Sequence, residues 1–171
     1  MPAIQNQSPL PAVRGRECGD RVTTIDDVPR LDWCRAVINE TLRLYPPVPI
    51  LARQTKEKDR IGGIDVEPAS LVLIVPWLLH RTPSLFEQPH QFRPERFLGD
   101  NRPKPTVSFP LPAGRVCPGQ HFGETEAILC LAILAQKFSL RLREGHKVEP
   151  LCRLTLRPKG GLPVALHRRE A

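Results

Sequence analysis

The stretch Phe109-Pro110-Leu111-Pro112-Ala113-Gly114-Arg115-Val116-Cys117-Pro118-Gly119, and the apolar run Ala127–Ala135 that follows it, decide the fold. Residues 119–149 contain no proline, and the first part of this window predicts a helix up to about Phe138. Its residues Ile128, Leu129, Leu131, Ala132, Ile133, Leu134 and Ala135 are apolar nearly all round, which predicts a deeply buried helix. Cys117 falls just ahead of that helix's start. A helix N-terminus offers free N–H groups and a partial positive charge, so it favours the anionic thiolate. A thiolate suits a soft metal centre. Gly114 and Gly119 allow close backbone approach, and Arg115 adds a positive charge two residues away. Cys130, inside the apolar run, reads as a buried structural cysteine, as do Cys34 and Cys152, while Cys18 reads as exposed.

Upstream, residues 68–118 hold ten prolines, part of a total of 20 in 171 residues. Proline normally makes up about 5% of a chain. Leu71–Val75 predicts a short strand, and 76–118 predicts mostly irregular coil with short turns. The aromatics Trp77, Phe86, Phe92, Phe97 and Phe109 predict that this coil is packed. It contains Phe92-Arg93-Pro94-Glu95-Arg96-Phe97, which sets an arginine between proline and phenylalanine. Residues 50–67, with Gly62-Gly63 and a charge run, predict strand, turn, strand. The window 30–45 predicts a helix capped by Asp26 or Asp27, with Pro29 in its first turn. Leu31, Cys34, Ile38, Thr41 and Tyr45 form its buried face, and Pro46-Pro47 stops it. Glu40 and Arg43 share a face near its end, a pair that alone would be an ordinary solvated one. Downstream, Leu151–Leu156 and Leu162–His167 flank Pro158-Lys159-Gly160-Gly161 and predict a hairpin.

Composition removes several classes of function. Hydrophobic residues make up 40% of the chain, enough for a core. The longest apolar stretch is the nine residues Ala127–Ala135, against about 18 for a membrane span. Met1–Leu10 lacks the apolar region of a secretory signal. The five cysteines include no Cys-x-x-Cys pair, which argues against a zinc ribbon or a redox dithiol. A reduced, cytoplasmic protein without a disulfide framework is expected. The net charge is +7, and residues 141–171 hold eight Lys/Arg against three Asp/Glu. Those charges alternate with apolar residues, as on a solvated strand face, and the aromatic–basic interleaving of a nucleic-acid binder is missing. Residues 1–25 are expected to be irregular or disordered, and 26–171 to form the folded portion.

Taken in order, three motifs resemble the C-terminal part of a cytochrome P-450, a heme-thiolate monooxygenase. Glu40-Thr41-Leu42-Arg43 resembles the helix K motif, Pro94-Glu95-Arg96-Phe97 the meander motif, and Arg115-Val116-Cys117-Pro118-Gly119 the end of the heme-ligand loop. The resemblance runs from about Asp26 to Leu166. It implies an α+β fold, mainly α: helix K, β-strands, meander coil, Cys-ligand loop, helix L and a C-terminal β-hairpin. It also implies heme b as cofactor, with Cys117 as the iron ligand and Gly119 beside it. Arg115 and Arg53 would meet the heme propionates, and Phe109 would cover the proximal heme face. Glu40, Arg43 and Arg96 match a charged triad that holds the ligand loop in place. The implied partners are an electron donor (a ferredoxin or a flavoprotein reductase), a small apolar organic substrate, and the missing N-terminal part of the same fold. No nucleic acid and no membrane span are implied.

Two departures from the family pattern stand out. Pro110 and Ala113 occupy positions where the ligand loop has phenylalanine and glycine, so Phe109 and Gly114 fit only if the loop is one residue short. The chain also lacks the segments that form the distal heme wall, the substrate pocket and the acid–alcohol pair that delivers protons. The alternative is therefore a catalytically inactive fragment that binds no heme on its own. Among the histidines, His121 follows Cys117 by four residues and reads as a surface residue, and His80 resembles a position packed near the meander.

Overall fold

The computed structural model describes residues 21–101, 103 and 117–169. Phe109 and Arg115 lie outside the described residues.

The first helical segment is divided. A 3-10 helix spans Ile25–Arg30, and helix α1 spans Asp32–Leu44. Pro29 sits inside the 3-10 helix, where an uninterrupted α-helix would need its missing N–H. Thr24, not Asp26 or Asp27, is the N-cap, and an Asp27 carboxylate oxygen accepts from the Thr24 N–H at 2.9 Å. Strands β1 (Leu51–Gln54) and β4 (Leu71–Ile74) pair antiparallel, with Arg53 opposite Val72. Between them β2 (Asp59–Ile61) and β3 (Ile64–Val66) form the hairpin that Gly62-Gly63 predicts. Both glycines have positive φ, 58° and 86°, which matches a primed turn that few other residues tolerate. The short helix α2 (Pro76–Leu79) opens the proline-rich coil, which holds two 3-10 turns at Pro94–Phe97 and Gly99–Asn101. Helix α3 runs Gln120–Lys137 and passes directly into β5 (Phe138–Leu142). Strands β6 (Pro150–Cys152), β7 (Leu156–Pro158) and β8 (Val164–Arg168) complete the chain.

The core lies between α1, the preceding 3-10 helix and α3. Val28, Leu31, Cys34 and Val37 pack with Ile128, Ala132 and Ala135, and Trp33, Phe92, Leu129 and Leu140 close around them.

Several expectations are corrected. The buried face of α1 includes Ala36, Val37, Glu40, Arg43 and Leu44, whereas Thr41 is exposed. Packing on three sides, by α3, α2 and the 94–97 turn, widens the buried arc beyond one apolar stripe. Helix α3 is buried on one side only: Phe122 is 75% exposed, and Leu134 and Cys130 are exposed. Cys152 is also exposed, so of the three cysteines read as structural only Cys34 is buried. The C-terminal segments do not pair with each other. Instead β6 pairs with β7 around a tight turn, and β8 returns to pair with β5, Leu142 opposite Val164. The turn at Gly160-Gly161 exists, with positive φ at both, but it joins two different two-stranded sheets. Alternation specifies a strand's faces and not its partner, which explains the wrong pairing. Among the described residues the fold is a mix of helices and strands, with helical residues the more numerous.

Candidate functional site

Helix α1 sets Glu40 and Arg43 one turn apart, and both side chains are almost completely buried. Arg43 Nε donates to Glu40 Oε2 at 2.6 Å and Nη2 donates to Oε1 at 2.9 Å. The other Arg43 donors go to backbone carbonyls of the coil: Nη1 to His80 (2.6 Å) and Pro89 (2.7 Å), Nη2 to Gln91 (3.1 Å). All five N–H bonds of the guanidinium are thus used. The group also lies 5.0 Å from the centroid of the Phe86 ring. Glu40 Oε1 further accepts from the Arg93 N–H at 2.7 Å and from Arg96 Nε at 3.2 Å. The structure therefore brings Glu40, Arg43 and Arg96 together. Four donors converge on this carboxylate and hold it rigid.

Two neighbours complete the arrangement: His80, expected near the meander, and Arg81, for which the sequence carried no expectation. The last carbonyls of a helix lack intrahelical partners. His80 Nδ1–H donates to the Arg43 carbonyl at 2.9 Å, and Arg81 Nη2 donates to the Leu44 carbonyl at 2.5 Å. Arg81 also stacks 3.4 Å from the Trp77 ring centroid, and burial lowers its pKa. Burial raises the Tyr45 phenol, against an opposing pull from Arg81. The signal in sequence was His80-Arg81 just after an apolar strand, too short a pattern to point at a helix end far upstream. The proline-rich coil is thereby fastened to the C-terminal end of α1 by side chains from both sides.

Cys117 is exposed, and Gly119 is the N-cap of α3. The Gln120 N–H donates to the Cys117 carbonyl at 3.0 Å, and the Gly123 N–H to that of Gly119 at 2.9 Å. A Cβ added at Gly119 would meet Cys117 Sγ at 3.8 Å, so the glycine leaves that flank of the sulfur clear. An accessible thiol at the start of an 18-residue helix, with a glycine beside it, fits a sulfur ligand for heme iron. His121 is exposed on the first turn. Arg53 is exposed on β1 and donates to the Ala52 carbonyl at 2.8 Å; no described contact joins it to Cys117 or to the triad. Among the described residues no cluster of His, Cys, Asp and Glu could hold a metal ion, and no helix is long and apolar enough to cross a membrane.

An apolar groove of about 220 Å³ lies on the side of the β6–β7 hairpin, lined by Pro49, Ile50, Val75, Trp77, Cys152 and Leu156. The Leu156 N–H donates to the Pro47 carbonyl at 2.9 Å and so ties the hairpin to the segment after α1.

These features define a chain whose buried charged cluster and exposed helix-start thiol belong to one architecture. Residues 13–163 match the family described as Cytochrome P450, and the chain belongs to that family. It is 41% identical over 141 residues to cyclooctatin synthase of Streptomyces melanosporofaciens, covering 81% of this chain and 31% of that protein. It is 37% identical over 158 residues to cytochrome P450 4V2 of Homo sapiens, covering 89% of this chain and 30% of that protein. The crystal structure of the cytochrome P450DA heme domain superposes with a TM-score of 0.83 at 29% identity, covering 95% of this chain and 36% of that one. The chain thus spans about a third of the length of the curated relatives it matches.

Proposed function

We propose that residues 26–171 form the heme-binding portion of a cytochrome P450 monooxygenase, in which Cys117 would supply the iron ligand. The observation that supports this most is the exposed Cys117 thiol at the start of α3, a helix packed directly on the one that carries the Glu40–Arg43–Arg96 cluster. Thiolate-ligated heme, when bound, supplies the activation of dioxygen and the insertion of one oxygen atom into an organic substrate. The chain's own residues bind and orient. Cys117 supplies the sulfur, and Gly119 keeps its flank free of a side chain. Glu40, Arg43 and Arg96 lock the coil 80–97 against α1 and so fix the base on which α3 rests. By resemblance, Arg115 and Arg53 bind the propionates and Phe109 covers the proximal face. The substrate, by resemblance, is a small apolar organic molecule. Arg115 and the exposed His121 would meet an acidic electron donor, a ferredoxin or a flavoprotein reductase. The remainder of the fold would come from a segment equivalent to the N-terminal part of the relatives.

One observation favours a second reading, in which this chain alone binds no heme: it covers only 36% of the solved heme domain. A single experiment separates the two. The chain is titrated with hemin, reduced and exposed to carbon monoxide. A thiolate-type spectrum in the unmodified chain, lost in Cys117→Ala, supports the ligand assignment. The same spectrum persisting in Cys117→Ala overturns it, and no binding by either protein favours the second reading.

A further inference from the structure

We propose that the Arg35–Glu124 ion pair positions Cys117, by holding the N-terminal turns of α3 against α1. The inference rests on the reading of Cys117 as the ligand. The buried residues of α3 are Ile128, Ala132 and Ala135, all beyond its second turn. Ahead of them, His121, Phe122, Gly123 and Glu126 are exposed. Gln120, Thr125 and Ala127 are only partly buried, so among the described residues these turns draw no fully buried anchorage from the core. Glu124 supplies an anchor. Its Oε1 accepts from Arg35 Nη1 at 2.6 Å, and both side chains are only 27% exposed. Arg35 is itself braced, since Nη2 donates to the Val28 carbonyl at 3.2 Å and its backbone N–H to Leu31 at 3.0 Å. A path of direct bonds then runs from the 3-10 helix through Arg35 and Glu124 to the first turns of α3. There the Gln120 N–H holds the Cys117 carbonyl. Without the pair, the helix is gripped only near its middle and C-terminal end, and its first turns can open while the core stays closed.

The test is backbone amide exchange on the full chain, comparing the unmodified protein with Arg35→Gln, Glu124→Gln and the charge swap Arg35→Glu/Glu124→Arg. Each single variant should lower protection at Gln120 and Gly123 about three-fold, the size suited to a half-buried pair. Amides at Ile128–Ala135 should keep theirs, and the swap should restore the first turns. A purely structural role would instead lower protection throughout α3. Equal loss at both ends, no loss in the single variants, a swap that fails to restore, or an unmodified chain without protection at Gln120 and Gly123 would each overturn the proposal. A single variant that unfolds altogether loses protection at both ends of α3 and so overturns the proposal as well. Exchange needs no heme, so an absent Cys117-dependent spectrum in the hemin titration would remove the ligand reading alone.

Discussion

Glu40→Gln is the most informative single change. The two side chains differ by one atom, so packing is preserved and only the charge and one acceptor are lost. Glu40 is fully buried, and its Oε1 accepts from Arg43, Arg93 and Arg96 while Oε2 accepts from Arg43 Nε. With the Gln oxygen at the Oε1 position, three of these bonds survive. The new NH2 group then faces Arg43 Nε, donor against donor, and the Arg43 guanidinium stays buried without a counter-charge. Breaking a buried pair by removing one partner costs about 3–5 kcal/mol. For a chain of this size that corresponds to a fall in Tm of roughly 6–20 °C. Arg96→Met provides the comparison. Arg96 is 11% exposed, gives Glu40 one bond of 3.2 Å and the Glu87 carbonyl one of 3.1 Å, and carries a buried Nη2 that has no partner among the described residues. Removing that orphan offsets part of the loss, so about 1–2 kcal/mol is expected. Urea titrations followed by far-UV circular dichroism give both values from the midpoints. The double variant Glu40→Gln/Arg43→Met should cost less than the sum of its single changes, because it leaves no bare charge behind. A Glu40→Gln cost below about 1 kcal/mol, or an Arg96→Met cost exceeding it, would refute the account of the cluster as a buried clamp.

Asp27 should shape the acid limb of stability. Its carboxyl is held well below the usual carboxylate range, first by its hydrogen bond with Arg21, then by the Thr24 N–H and by Arg30. A depressed folded pKa means that its contribution is complete above the unfolded value of about 4 and disappears as pH falls toward the folded one. The gap in urea midpoint between the unmodified chain and Asp27→Asn should therefore be constant near neutrality and close below about pH 4; a gap that widens in acid contradicts the assignment. Gly63→Ala meets no atom within 4 Å, yet φ there is 86°, so a loss of about 1 kcal/mol from backbone strain alone is expected by the same titration. Residues 1–171 supplied with hemin and a reducing partner should not oxidise apolar substrates above a free-heme control, since the chain matches only about a third of its relatives' length. Coupled product formation measured by chromatography would show otherwise.

Local chemistry made much of this protein readable. The windows between prolines located α1 and α3, because proline cannot donate the bond a helix interior needs. Gly62-Gly63 located the β2–β3 hairpin, because only residues that tolerate positive φ close so tight a turn. Cys117 was legible as a candidate ligand from its place before an apolar helix, and the ordered motifs around Glu40 and Arg96 identified the family. Tertiary structure decided what sequence separation hides. Strand β8 pairs with β5 across the whole β6–β7 hairpin, and alternation is blind to partners. His80 and Arg81 close the end of α1 from 37 residues away. Glu124, 89 residues from Arg35, is an ordinary surface carboxylate until the two helices dock. Burial of Cys34 and exposure of Cys130 likewise follow from which side of each helix meets the other. An all-apolar helix carries no stripe to announce that side, so its orientation is set by the partner surface and not by its own sequence.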